Sequence, residues 1–170
     1  KGEIGSFRQV EFDNYYLNGI KIEGVRRYEI VDIEEGVDKT VQMTLENGKM
    51  IYPDGSFSTK SKITSKYITY NEGERVSTSI TGNASGVNSD GTAYEMEITS
   101  PIFFTRACAK ELIHKKGKIP VSGVKRILKG VSEMIINYGD GECDFVAEVT
   151  KDGVNETIDL KEIKRKRKFR

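Results

Sequence analysis

Apolar and polar residues alternate along most of the chain, in runs that are separated by short glycine-containing turns. The clearest case is residues 132–160, where three such runs are joined by turns at 138–142 and 151–154. Alternation with a period of two is typical of a strand with one solvated face, and a glycine after aspartate supplies the positive φ that a tight turn requires. This stretch therefore predicts three short antiparallel strands.

The same pattern precedes this stretch and predicts a series of further strands. They are residues 6–18, 20–33, 40–46, 49–52, 57–70, 76–87, 92–100 and 121–129. Asn18-Gly19 and Asn47-Gly48 each predict a turn between two strands, because Asn-Gly is a strong hairpin signal. Pro101 lacks a backbone donor and predicts the end of a strand.

About ten strands in sequential antiparallel order predict an all-β meander in a single domain, residues 1–170. The pattern leaves open a half-barrel, a sandwich or one long twisted sheet. We favour the half-barrel or the sandwich, because a lone sheet this polar would have little to bury. Residues 105–116 predict the one short helix, with Thr105 as its N-terminal cap.

The composition indicates a thin hydrophobic core. The apolar fraction is 36% even with eight tyrosines included, and 17 glycines against 3 prolines suit many tight turns. The chain contains no apolar run of about 18 residues, the length that a membrane-spanning helix needs. It begins at Lys1, so we expect a trimmed form from which a signal peptide has been removed.

Charge is distributed unevenly, although the net charge is only +1. Residues 106–129 carry eight basic side chains against Glu111, residues 161–170 carry seven against Glu162, and the remainder carries 12 basic and 24 acidic residues. The favoured interpretation is that the basic segments neutralise an acidic sheet. The alternative is an anionic surface or a nucleic acid bound through both segments.

Residues 161–170 are predicted to be a basic C-terminal extension that continues the last strand or docks on an acidic face. Such a segment can bind phosphates or anionic head groups through contacts that weaken with salt. Its candidate surface residues are Lys164, Arg165, Lys166, Arg167, Lys168 and Arg170.

Candidate catalytic and metal-binding residues are few. Asp140, Glu142 and Asp144 form a weak candidate for a cation site, but a calcium loop needs further oxygen ligands and a hairpin turn explains these residues better. A hydrolase that uses these carboxylates is the least favoured alternative. His114 is the single histidine and the two cysteines lack zinc-ligand spacing, so we expect no metal, no cofactor and no enzymatic activity.

Seven short motifs follow one another in a specific order between residues 7 and 160. They are Val10-Glu-Phe-Asp-Asn-Tyr-Tyr16 with Asn18-Gly19, Tyr52-Pro-Asp-Gly55, Ile80-Thr-Gly82, Asn88-Ser-Asp-Gly-Thr-Ala-Tyr94, Ile98-Thr-Ser-Pro101, Val121-Ser-Gly123 and Tyr138-Gly-Asp-Gly-Glu-Cys-Asp144. In this order they resemble a family of secreted or lipid-anchored cell-envelope proteins of Bacteroidetes without an assigned activity. Residues 109–120 depart from the family pattern as a basic insertion. The resemblance implies an all-β structure in the periplasm or at the outer-membrane surface.

Given that resemblance, Cys108 and Cys143 are predicted to form a disulfide, because paired cysteines in an exported domain are oxidised. The alternative is two buried free thiols in a cytosolic protein. We expect a non-catalytic ligand-binding or scaffolding module, for an apolar molecule, a glycan or another protein. Nucleic acid is disfavoured, membrane contact is expected only through a lipid anchor outside this chain, and the oligomeric state stays open.

The glycan alternative is weakened by the absence of tryptophan, because sugar sites usually offer large aromatic platforms. Tyrosines could substitute only if several share one exposed face. The candidates are Tyr15, Tyr16, Tyr52, Tyr67, Tyr70 and Tyr94.

Overall fold

The computed structural model of the protein describes residues 2–34, 38–111 and 119–162. The strands are β1 Phe7–Leu17, β2 Ile20–Glu34, β3 Asp38–Ile51, β4 Phe57–Asn71, β5 Glu74–Val87, β6 Ala93–Thr105, β7 Ser122–Lys129, β8 Ser132–Asp140, β9 Val146–Lys151 and β10 Val154–Asp159. One helix, α1 Arg106–Glu111, lies between β6 and β7.

Each strand pairs antiparallel with its neighbours in sequence, so the order in space is β1 to β10. The predicted all-β meander of about ten strands is confirmed. All ten strands belong to one sheet that does not close, so the described strands do not form the two layers of a sandwich. β1 and β10 are therefore the two edge strands of the sheet that the described residues form.

The predicted turn at Asn47-Gly48 is wrong, because β3 continues through it. The pairing of β3 shifts register between Leu45 and Gly48, and Asn47 has a φ of 51°. A strand that accommodates an extra residue in this way contains a β-bulge, which uses the same left-handed conformation as a hairpin turn. Asn-Gly thus predicted the local backbone conformation correctly and its structural role incorrectly.

Gly24 of β2 faces the bulge of β3, because this single residue lies opposite both Asn47 and Gly48. A Cβ atom on Gly24, where φ is +123°, would lie 2.8 Å from the Cα of Gly48. The two backbones approach this closely because Gly24 has no side chain, and Gly48 needs glycine for a different contact, with the carbonyl oxygen of Lys60 on β4. Glycine bulges of this kind allow a sheet to bend.

The predicted strand end at Pro101 is also wrong, because β6 runs on to Thr105. Two register shifts occur here, one between Ile98 and Ser100 and one between Ser100 and Phe103, and Pro101 lies within the second. A bulge leaves backbone groups outside the regular ladder, so a residue without an N–H is tolerated there.

The predicted cap of the helix is confirmed, since the Oγ1 of Thr105 accepts a hydrogen bond from the N–H of Ala107. Helix α1 is described only as far as Glu111, and the rest of the predicted helix, residues 112–116, lies outside the described residues. At the other end of the chain β10 stops at Asp159, whose carboxylate accepts a hydrogen bond from the N–H of Lys161. Residues 160–162 are helical, so the last strand does not continue into the basic extension.

The most deeply buried cluster lies at one end of the sheet, where β6 ends and β7 begins. We call this cluster the closed end. It consists of Phe103, Cys108, Ile119, Val121, Cys143, Phe145 and Leu160. Val121 and Phe145 are each 2% exposed, whereas most apolar side chains in the rest of the sheet are only half-buried. The core is thin, as the composition predicted.

Candidate ligand-binding face

One row of paired residues crosses all ten strands and defines a face of the sheet, because residues that pair across neighbouring strands point to the same side. The row is Val10, Arg26, Leu45, Lys62, Ala84, Met96, Ile127, Met134, Lys151 and Val154. We call this side the lysine face, and alternation adds to it Phe12, Met43, Lys60, Lys66, Ile80, Ile98, Lys125 and Ile136. The opposite side is the outer face.

Three half-buried lysines of the lysine face, Lys62, Lys66 and Lys125, each lie between apolar or small residues of the two neighbouring strands. The flanking pairs are Leu45 and Ala84 for Lys62, Val41 and Ile80 for Lys66, and Ile98 and Ile136 for Lys125. Lysine side chains normally pack their methylenes on apolar surface while the ammonium group stays in water. Here the aliphatic surroundings extend to both sides of each lysine.

Burial lowers the pKa of all three lysines, because removal of water disfavours the charged ammonium form. Neighbouring cations lower these pKa values further, chiefly Lys60 in the case of Lys62 and Arg75 in the case of Lys66. Both effects have the same sign. A ligand that brings an anion close to these groups would therefore relieve both.

Carboxylates lie almost entirely on the other side of the sheet. Within the described strands, register places Glu156 of β10 on the lysine face and no other Asp or Glu. The outer face carries Glu23, Glu29, Glu95, Glu97, Glu133 and Glu148 together with many Ser and Thr residues. Lys62, Lys66 and Lys125 take part in none of the ion pairs that the described residues form.

The lysine face is concave over β1–β4, where it contains a shallow depression of about 280 Å³. Phe12, Met43, Leu45 and Lys62 are among its lining residues. The charge of Lys60 on β4 contributes to the lowered pKa of Lys125, although Lys125 lies three strands away on β7.

The predicted disulfide is present. Cys108 of α1 and Cys143 of the β8–β9 loop are bonded, with Cα atoms 5.2 Å apart and a sequence separation of 35 residues. The bond lies within the closed end, where Cys108 is buried. It joins two segments that the strand ladder alone does not connect, and it lies outside the lysine face.

Asp140, Glu142 and Asp144, the weak cation-site candidate, act as local turn residues. Asp140 accepts a hydrogen bond from the N–H of Glu142, and Asp144 accepts one from the N–H of Val146 at 3.1 Å. Such Asx turns fix the chain between β8 and β9. In the described part of the chain no group of three or more His, Cys, Asp or Glu side chains is placed to hold a metal ion.

The basic segment at 106–129 is partly neutralised by acidic neighbours. Arg106 pairs with Glu74, Arg126 pairs with Glu133, and the Nζ of Lys129 lies 3.3 Å from a carboxylate oxygen of Asp90. This supports the interpretation that its exposed cations balance carboxylates. His114 lies outside the described residues, as do Lys164, Arg165, Lys166, Arg167, Lys168 and Arg170.

The candidate tyrosines do not form one aromatic platform. Tyr16 and Tyr67 lie on the outer face, whereas Tyr15 and Tyr94 lie on the lysine face of two distant strands. The O–H of Tyr67 donates to Glu34 and Asp38, which raises the pKa of Tyr67 above its ordinary value. Its role is to hold the ends of β2 and β3 against β4.

The spacing of lysines in β4 is the one sequence signal for the lysine face. Lys60, Lys62 and Lys66 occupy even positions of β4, so they share a side of that strand. Their apolar neighbours belong to other strands, and the pairing register was needed to identify them.

Comparison with protein-family models, with curated proteins and with solved structures found no match. The resemblance to envelope proteins therefore stays a prediction. Among the described residues, no helix has the length and apolar character to span a bilayer.

Proposed function

We propose that this protein is a non-catalytic ligand-binding module of the cell envelope, and that it binds the apolar part of its ligand on the lysine face. The concave lysine face is the observation that carries this proposal. A sheet normally buries its apolar side against a second layer of structure. In the described part of the chain the lysine face of β2–β5 has no such layer, and its depression is lined by Phe12, Met43 and Leu45.

The disulfide supports the location. Stable disulfides form in oxidising compartments such as the periplasm and the cell surface and are rare in the cytosol. The bond between Cys108 and Cys143 fits residence in the envelope, as does the resemblance of the turn motifs. Neither observation implies a reaction.

The remaining parts of the chain are poorly suited to cover the lysine face. Residues 112–118 and 163–170 together contain nine Lys and Arg residues and no Asp or Glu. Placing them over Arg26, Lys60 and Lys62 would add like charge to a face whose lysines are already penalised. A separate molecule is the better-suited occupant.

The experiment is titration of the oxidised protein with N-phenyl-1-naphthylamine, a neutral apolar dye that fluoresces when it leaves water. We expect saturable binding that Met43→Glu weakens by about tenfold, because a carboxylate in the depression disfavours an apolar ligand. Thr81→Glu is the matched control, since Thr81 is exposed on the outer face. An absence of saturable binding, or equal losses in both variants, would reject the lysine face as the binding surface.

A further inference from the structure

We infer that the ligand is an anionic amphiphile, a single alkyl chain that ends in a carboxylate or phosphate and is taken up as a free monomer. Its chain would lie on the apolar residues of the lysine face, and its head group would lie beside Lys62 and Lys125. This inference rests on the proposed function and names the chemical class of its ligand.

The first argument is the placement of charge within apolar surroundings. Lys62 lies between Leu45 and Ala84, and Lys125 lies between Ile98 and Ile136. An alkyl chain and an anionic group can therefore make favourable contacts within a few ångströms of each other on this face. A wholly apolar ligand would leave the ammonium groups partly dehydrated without a partner, which is costly.

The second argument is the missing counter-charge. Within the described residues, Glu156 is the one carboxylate that register places on the lysine face, and β8 and β9 lie between it and Lys125 on β7. The longer segments outside the described ranges, residues 112–118 and 163–170, contain no acidic residue. Partial burial makes an unpaired ammonium group costly, so we assign the partner anion to the ligand.

The third argument concerns shape and selects a monomer over a membrane surface. The depression of about 280 Å³ is slightly smaller than typical small-molecule sites, which suits one chain better than a two-chain lipid. It is a recess in the lysine face, which the flat surface of a bilayer would cover without filling.

The test is displacement of bound N-phenyl-1-naphthylamine by three ligands with the same ten-carbon chain, used below their micellar concentrations. They are decanoate, decanol and decyltrimethylammonium. We expect decanoate to displace the dye at a concentration about tenfold lower than either of the other two, since hydrogen bonds to a charged partner are about twice as strong as neutral ones.

Variants identify the residues responsible. Lys62→Met and Lys125→Met keep a long side chain and remove the ammonium group, so each should weaken decanoate and reduce its preference over decanol by at least threefold. Lys62→Arg should restore the preference. Lys49→Met is the matched control, because Lys49 lies on the outer face over the ring of Phe57, and it should change neither ligand.

Every other outcome contradicts a specific part of the proposal about the ligand. If neither the dye nor any of the ligands binds, the proposed function fails as well. If all three ligands bind equally, the lysine face binds apolar molecules and the inferred anionic class is wrong. If the protein binds phosphatidylglycerol vesicles and no monomer, the inferred monomeric ligand is wrong and the partner is a membrane surface.

Discussion

The closed end and the lysine face differ in how completely they bury their apolar side chains. At the closed end, Val121 and Phe145 are almost fully removed from solvent, and a disulfide joins α1 to the β8–β9 loop. On the lysine face, apolar side chains such as Met43 stay half-buried and alternate with cations across the strands. The first region is complete by itself, whereas the second is suited to a partner.

This difference separates stability from function. Residues of the closed end contribute their full transfer free energy to folding, because water has no access to them. Residues of the lysine face contribute only part of theirs, and the remainder is available for ligand binding. We therefore expect the largest stability changes at the closed end and the largest affinity changes on the lysine face.

The largest effect is expected from Phe145→Ala at the closed end. Removal of a fully buried phenyl ring typically lowers the free energy of unfolding by about 3–5 kcal/mol. Met43→Ala on the lysine face is the matched comparison and should cost only about 1 kcal/mol, since its side chain is half-buried. Urea unfolding of both variants measures this, and equal losses would contradict the distinction between the regions.

Removal of the disulfide should have the next largest effect. In the double variant Cys108→Ser with Cys143→Ser, the unfolded chain gains the entropy of an open loop, and stability should fall by roughly 3–4 kcal/mol. The folded fraction should keep its affinity for the neutral dye, because the bond lies outside the lysine face. The unreduced wild-type protein should accordingly contain no reactive thiol. A loss of dye binding in the folded variant would show that the two regions are coupled.

Substitution of Gly82, which lies within a register shift between β5 and β6, tests whether the backbone there tolerates a side chain. Gly82 has a φ of +137°, and a Cβ atom there would lie 2.3 Å from the carbonyl oxygen of Ile63. Gly82→Ala should therefore cost about 1–3 kcal/mol through backbone strain and a clash that flexible side chains cannot relieve. Gly55→Ala is the control, because Gly55 also has positive φ but no atom within 4 Å of the added methyl group. The melting temperature of Gly82→Ala should fall further than that of the control.

The smallest expected effect is the pH dependence of stability that comes from Lys62. Burial lowers the pKa of Lys62 in the folded protein below its unfolded value, so folding carries a penalty that is complete at pH values below the folded pKa. That penalty disappears as pH rises from the folded pKa toward the ordinary lysine pKa of 10.5. Lys62→Met should thus be more stable than wild type at pH 7, by at most about 1 kcal/mol because the group is only half-buried.

The measurement is the difference in free energy of unfolding between Lys62→Met and wild type, followed as pH rises. Tyr67 contributes the opposite trend above about pH 10, because its folded pKa is raised, but it is present in both proteins and cancels. The stability difference should shrink as pH approaches 10. A difference that does not change with pH would mean that the charge of Lys62 is fully hydrated.

Most strands and turns could be predicted from the amino-acid sequence, because they depend on local chemistry such as the alternation in residues 132–160 and the hydroxyl cap of Thr105. The disulfide was predicted from the resemblance to exported proteins, with free thiols as the alternative. The same local signals misplaced Asn47-Gly48 and Pro101, since a bulge and a strand end use similar residues.

The lysine face was decided only by the tertiary structure. Each bulge adds a residue and switches the side to which the following residues point, so Leu45 and Met50 share a face although one position is odd and the other even. Where a bulge occurs depends on how two neighbouring backbones fit, as at Gly24 and Gly48. The meeting of Lys62 and Lys125 with aliphatic partners from other strands therefore follows from register, which no single strand encodes.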